Sequence, residues 1–264
     1  MAYLTVNDVR LHFERFPQPG KPVLVLSHSL FFDWRMFEPL IELLHPHFEI
    51  IAYDHRGQGL SSRAGLLDMD TLADDAAALI DMLDLAPCYF AGNSMGGFIA
   101  LRLAARYPER LAGCIVMGSS ADHEYQLAEF EPLVHRLAQE GAADQVDTLM
   151  YIMFGDQTLR SPEHASLCAH WRDQMRRLGP EIGAAAMGVI HRRSVVNELQ
   201  ALSVPLLVLA GEQDHAYSTA LSEQIVECSG HGECKVIAAA GHSLALEQPL
   251  QVAEAIRGFA TRAA

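Results

Sequence analysis

No stretch of this chain approaches the ~18 consecutive apolar residues of a membrane-spanning helix, although half of its 264 residues are hydrophobic. The opening residues, Met1-Ala2-Tyr3-Leu4-Thr5-Val6-Asn7-Asp8, carry neither a basic cluster nor an apolar run of signal-peptide length. A cytoplasmic protein without membrane attachment is therefore expected. The five cysteines (Cys88, Cys114, Cys168, Cys228 and Cys234) are scattered, odd in number and form no C-x-x-C. That argues against a disulfide framework and against a cysteine metal site. Positive charge is scarce too: 19 Lys and Arg stand against 33 Asp and Glu, a formal net charge of −14. Nucleic acid and anionic membrane surfaces are thereby disfavoured as partners. The glycine-bearing stretch Gly92-Asn93-Ser94 does not fit a phosphate-binding G-x-G-x-x-G, and the P-loop lysine is missing. No metal and no cofactor is expected. The partner that remains is a small-molecule substrate, and a homo-oligomer stays open.

What is present is an alternation of short apolar runs and amphipathic stretches. Tyr3 to Val6 and Val9 to Phe13 read as an antiparallel hairpin around Asn7-Asp8. Val23 to Leu26, Phe48 to Tyr53, Cys88 to Ala91 and Leu111 to Met117 are apolar strands suited to a sheet covered on both faces. Helices are expected from Trp34 to Leu44, capped by Asp33, around Leu72 to Leu83, and after Ser94. From about His123 to Leu202 no strand pattern occurs; four helical patterns take its place. Strands resume at Val204 to Ala210 and Cys234 to Ala238, and a last helix runs from Val252 to Ala260. The chain is thus expected to form an α/β domain from residues 1–122 and 203–264, with a mostly parallel, doubly wound sheet. Residues 123–202 form a helical cap inserted after the sixth strand.

The centre of this pattern is Gly92-Asn93-Ser94-Met95-Gly96, a G-x-S-x-G between an apolar strand and an apolar helix, which is the setting of a nucleophile elbow. A strand that turns this sharply into a helix leaves Ser94 at the tip in a strained conformation. A Cβ two residues to either side would strike the turn. Ser94 also precedes a helix N-terminus, which favours developing negative charge. A serine needs a base. Of the 13 histidines, His242 follows a late strand beside Gly241, where its loop can reach the C-terminal edge of the sheet. Asp214, in Gly211-Glu212-Gln213-Asp214, is the expected orienting acid, with Asp122 as its rival. The oxyanion donors expected are the N–H groups of Met95 and of Leu30, with Phe31 as the alternative to Leu30. Phe31, Phe32 and Trp34 would lie near the pocket. Tyr125, His123, Met150, Met153, Phe154, Trp171 and Met187 are cap candidates for an apolar pocket, with Phe31 and Trp171 chosen as substrate-binding residues.

The order Ser94, Asp214, His242 resembles that of the α/β-hydrolases. Asp54-His55-Arg56-Gly57-Gln58-Gly59-Leu60-Ser61 is similar to the Asp-x-Arg-Gly-x-Gly-x-Ser loop of one branch of that superfamily, and Gly241-His242 and Gly211 to Asp214 match as well. The resemblance covers essentially the whole chain and implies a helical cap on an α/β-hydrolase fold. Where that family carries His-Gly, this chain has His28-Ser29. Ser27-His28-Ser29-Leu30 is similar to the Ser-Asn-Ser-Leu-Gly of 3-oxoadipate enol-lactone hydrolases, except that their glycine is Phe31 here. That similarity implies a carboxylic ester or lactone as substrate, cleaved without a cofactor through an acyl-enzyme. A C–C bond hydrolase, a perhydrolase or a lyase uses the same triad. A ligand receptor that lost turnover is the reading from a different class. A haloalkane dehalogenase would need a carboxylate where Ser94 stands.

Overall fold

The computed structural model describes residues 2–263. Eight strands form one sheet in the order β1-β2-β4-β3-β5-β6-β7-β8. They are β1 Ala2–Val6, β2 Val9–Phe16, β3 Val23–Ser27, β4 Glu49–Tyr53, β5 Cys88–Asn93, β6 Leu111–Met117, β7 Leu206–Gly211 and β8 Glu233–Ile237. The β1–β2 and β2–β4 pairs are antiparallel and the remaining pairs parallel. The unbroken apolar runs become the central strands: β5 is buried along its whole length, as is β7. Both faces are covered, which is why these runs do not alternate with polar residues.

The helices around the sheet are α1 Glu38–Leu44, α2 Met69–Met82, α3 Met95–Arg106, α10 Thr219–Ser229, α11 Leu244–Glu247 and α12 Pro249–Ala263. Those between β6 and β7 are α4 Leu127–Glu140, α5 Val146–Met153, α6 Asp156–Arg160, α7 Ala165–Arg176, α8 Ile182–Ile190 and α9 Val196–Leu199. Helices α1, α11 and α12 pack on one another, and α2, α3, α9 and α10 form a second connected layer. Asp33 accepts the Arg35 N–H as expected of a cap, but the turn it opens, Trp34–Phe37, is 3-10 before α1 begins. Among the described residues the segment between β6 and β7 contains helices and no strand, with α4 packed on α8 and α5 on α7.

The Asp-x-Arg-Gly loop stitches the first strands together. Asp54 accepts the backbone N–H groups of Trp34 and Leu60, both at 2.9 Å, and lies 2.9 Å from Nδ1 of the buried His12. Arg56 donates to both carboxylate oxygens of Asp75, at 2.6 and 2.8 Å, and to Asp8 at 2.7 Å. The parallel pairing of β3 with β4 and β5, with Ser27 opposite Tyr53 on one side and Gly92 on the other, brings these strand ends to one edge of the sheet, where the site lies.

Candidate active site

β5 ends at Asn93 and α3 starts at Met95, so Ser94 alone makes the turn between them. Its φ of 53° with ψ of −111° is a region that side-chain-bearing residues rarely occupy and that persists only when neighbours enforce it. They do. The Ser94 N–H donates to the Met117 carbonyl at 2.8 Å, and the Ser119 hydroxyl donates to the Ser94 carbonyl at 2.9 Å. The two motif glycines supply room. A Cβ on Gly92 would stand 2.0 Å from the Gly96 carbonyl oxygen, and one on Gly96 would stand 2.0 Å from the Ser27 carbonyl oxygen. Any side chain at either position would push the elbow off the sheet edge.

The loop after β8 places His242 beside the loop after β7. His242 Nδ1 lies 2.9 Å from Asp214 Oδ2 and 3.1 Å from Oδ1. An ionised carboxylate only accepts, so the imidazole proton belongs on Nδ1 and Nε2 is left to accept. Asp214 Oδ1 also accepts the N–H groups of Ala216 and Tyr217, at 2.8 and 2.9 Å. It therefore caps its own turn and holds the histidine at once. Asp122 caps its own turn instead, taking the His123 N–H at 2.8 Å. His215 faces the helical segment, stacked on the Tyr151 ring at 4.0 Å between centroids.

Ser94 and His242 line one narrow cavity of about 60 Å³, together with Leu30 and Phe31. Met95 is buried at the first position of α3. Phe31 has a φ of 74°, a conformation that side-chain-bearing residues rarely adopt. At the start of this loop, the His28 and His55 rings lie 4.3 Å apart between centroids and are tilted by 57°, with the His55 backbone N–H donating to His28 Nε2 at 3.0 Å. Burial pushes the pKa of His28 down; burial and then the neighbouring His28 push that of His55 well down. Both therefore favour the neutral form.

Trp171 is placed elsewhere. It packs edge-on against Phe32, 4.7 Å between centroids, and lines a neighbouring cavity of about 400 Å³ rather than the one holding Ser94. Phe31 lines both. Of the other candidates from the helical segment, Met153 reaches the Ser94 cavity. Phe154 is buried against Phe32, and Tyr125 is exposed with its hydroxyl donating to the Ala216 carbonyl.

The model of the family described as alpha/beta hydrolase fold matches residues 22–249. The chain belongs to that family. Among curated relatives of this α/β-hydrolase, 3-oxoadipate enol-lactonase 2 of Acinetobacter baylyi is 29% identical over 261 residues, covering 98% of this chain and 96% of the relative. Among solved structures, a thermophilic esterase from Thermogutta terrifontis, with malate bound, is 30% identical with a TM-score of 0.87, over 97% of this chain and 94% of that one. The enol-lactonase from Burkholderia xenovorans is 25% identical with a TM-score of 0.91, over 98% of this chain and all of the other, 100%.

The wall of the α/β-hydrolase cavity opposite Ser94 was not identified from the sequence. Phe130, Leu133, Val134 and Leu137 present one stripe of α4, and Ala186 and Val189 present the facing stripe of α8. Their i, i+3, i+4, i+7 spacing was visible, but a stripe facing a cavity has the same pattern as one facing core. Glu124 and Tyr217, which also line it, carried no sequence signal at all.

Proposed function

We propose that this α/β-hydrolase cleaves a carboxylic ester or lactone, with Ser94 as nucleophile, His242 as base and Asp214 as its orienting acid. The observation that carries the reading is one cavity shared by the strained Ser94 and by His242, whose Nδ1 is held 2.9 Å from Asp214. His242 Nε2 takes the Ser94 proton as Oγ attacks the carbonyl carbon. The resulting oxyanion sits at the N-terminus of α3, where the Met95 N–H is one donor and the Leu30 N–H the other, with Phe31 the alternative. Collapse breaks the carbonyl–oxygen bond, and His242 returns the proton to the departing alkoxide. Water, deprotonated by His242, then attacks the acyl carbon; the acyl–Oγ bond breaks, His242 returns its proton to Ser94 Oγ, and the acid leaves. Residues 123–202 act as a cap whose helices supply the far wall and so the choice of substrate. The names of the relatives, an esterase and enol-lactonases, support an ester or lactone.

The test is turnover of short-chain p-nitrophenyl esters, simple lactones and enol-lactones by wild type and Ser94→Ala. Hydrolysis that falls by about three or more orders of magnitude in the variant supports the reading. Equal rates in the two proteins overturn it.

A further inference from the structure

The name of one relative is that of an enol-lactonase of 3-oxoadipate, a dicarboxylic acid, yet the charges around this cavity point away from an acidic substrate. Among the described residues that line it there is no Lys and no Arg. Its polar members are Ser94, His242, Glu124 and Tyr217, and the last two are already engaged. Glu124 Oε2 accepts the Tyr217 hydroxyl at 2.6 Å and Arg192 Nη1 at 2.8 Å, while Oε1 accepts the Gln126 N–H at 3.0 Å. The Glu124–Arg192 pair is buried, each side chain 1% exposed. The Arg192 guanidinium lies over the Phe98 ring, 4.2 Å from its centroid, with Tyr217 at 5.4 Å. Its Nε donates to the Asp122 carbonyl, and its Nη2 has no hydrogen-bond partner among the described residues.

Two carboxylates, Glu124 and Asp214, thus stand around the cavity against one buried guanidinium that Glu124 already neutralises. A substrate carboxylate brought in here would lose its hydration, meet no cation among the described lining residues, and face Glu124 and Asp214 with only the Glu124-paired Arg192 to offset them. Burying a charge on those terms is prohibitive. An alkyl chain, by contrast, meets Leu30, Leu133, Val134, Ile152 and Val189 and gains by leaving water.

Resting on the serine-hydrolase reading above, we propose that the site takes an uncharged, apolar acyl group and rejects carboxylates, with Glu124 as the specificity-determining residue because it cancels the charge of Arg192. Glu124→Gln keeps the size and the acceptor oxygen and removes the negative charge, leaving Arg192 as a net positive neighbour of the cavity.

The experiment compares p-nitrophenyl butyrate with p-nitrophenyl hemisuccinate, which share a leaving group and differ in a terminal carboxylate. Wild type is expected to favour the butyrate in kcat/KM by about a hundredfold, the discrimination that one unpaired buried charge supplies. Glu124→Gln is expected to shift that ratio toward the hemisuccinate by about tenfold or more. Binding is measured in parallel by calorimetry on Ser94→Ala, with pentanamide and 5-amino-5-oxopentanoate as neutral and anionic ligands. The neutral amide is expected to bind and the anion to bind at least about tenfold more weakly. Equal or tighter binding of the anion, or equal wild-type turnover of the two esters, overturns the proposal. The binding comparison does not depend on chemistry, so a Ser94→Ala protein that still hydrolyses esters would sink the serine-hydrolase reading without deciding this one.

Discussion

The side-chain amide of Asn93 donates to the backbone carbonyl of His242 at 2.9 Å, across 149 residues of sequence. The same nitrogen lies 3.2 Å from Ser29 Oγ, whose hydroxyl donates to the Asn93 carbonyl at 3.3 Å. One residue ahead of Ser94, a single amide thus ties together the elbow, the loop carrying Leu30 and Phe31, and the loop carrying His242. Ser29 is the residue that departs from His-Gly, and this contact gives it a role.

Asn93→Ala is expected to lower kcat/KM for a good ester about ten- to hundredfold, because a shift of about 1 Å in the histidine loop is enough to lose that much. The loss should fall mainly on kcat. Steady-state kinetics beside a melting curve checks it: an unchanged rate in a folded protein would mean that the bridge positions nothing.

The choice between Asp214 and Asp122 is open to a direct comparison. Asp214→Asn keeps the shape and allows the wrong imidazole tautomer, so kcat should drop by about four orders of magnitude. Asp122→Asn should stay within a few-fold of wild type, since Asp122 caps a turn with its carboxylate. Equal losses in both variants would remove Asp214 from its assigned place.

Phe31 stands between the cavity holding Ser94 and the larger one lined by Trp171. Phe31→Gly suits the φ of 74° at that position and removes the partition. The preference between p-nitrophenyl octanoate and butyrate should move toward the octanoate by about tenfold, the scale on which pocket length discriminates methylenes. A ratio equal to wild type would show that Phe31 does not limit chain length.

His28 and His55 predict a loss of stability on the acid side. Burial holds both below their ordinary pKa, so they stay neutral when folded. Unfolded histidine titrates at about 6.5. As the pH falls below that value the unfolded chain binds more protons than the folded one, and stability drops; above it the contribution is complete. Each histidine contributes a slope of up to about 1.4 kcal/mol per pH unit over that window. Urea unfolding at pH 7 and pH 5 should therefore show a marked decrease for wild type and a smaller one for His55→Gln. Equal decreases would contradict the assignment.

The strands, the sharp turn at Ser94 and the loops after β7 and β8 that carry Asp214 and His242 were legible because each rests on local rules. An apolar run covered on both faces reads as a central strand, and a turn tight enough to need Gly92 and Gly96 leaves those glycines in the sequence. The stitching around the site was not legible. His12 meets Asp54 from 42 residues away and Arg56 meets Asp75 from 19, pairings that chain order does not encode. The Glu124–Arg192 pair spans 68 residues and looks, in sequence, like two unrelated surface charges. Trp171 was expected at the substrate as a cap residue suited to an apolar pocket, and its ring packs on Phe32 beside a second cavity.

The central claim is that Ser94 Oγ forms a covalent bond with the acyl group. The most direct measurement is mass spectrometry after incubation with an alkyl fluorophosphonate, in which the serine displaces fluoride and keeps the phosphonyl group. A single added phosphonyl mass on the peptide containing Ser94, abolished in Ser94→Ala and strongly slowed in His242→Ala, is the expected result. A label on another residue, or one that persists in Ser94→Ala, would contradict it.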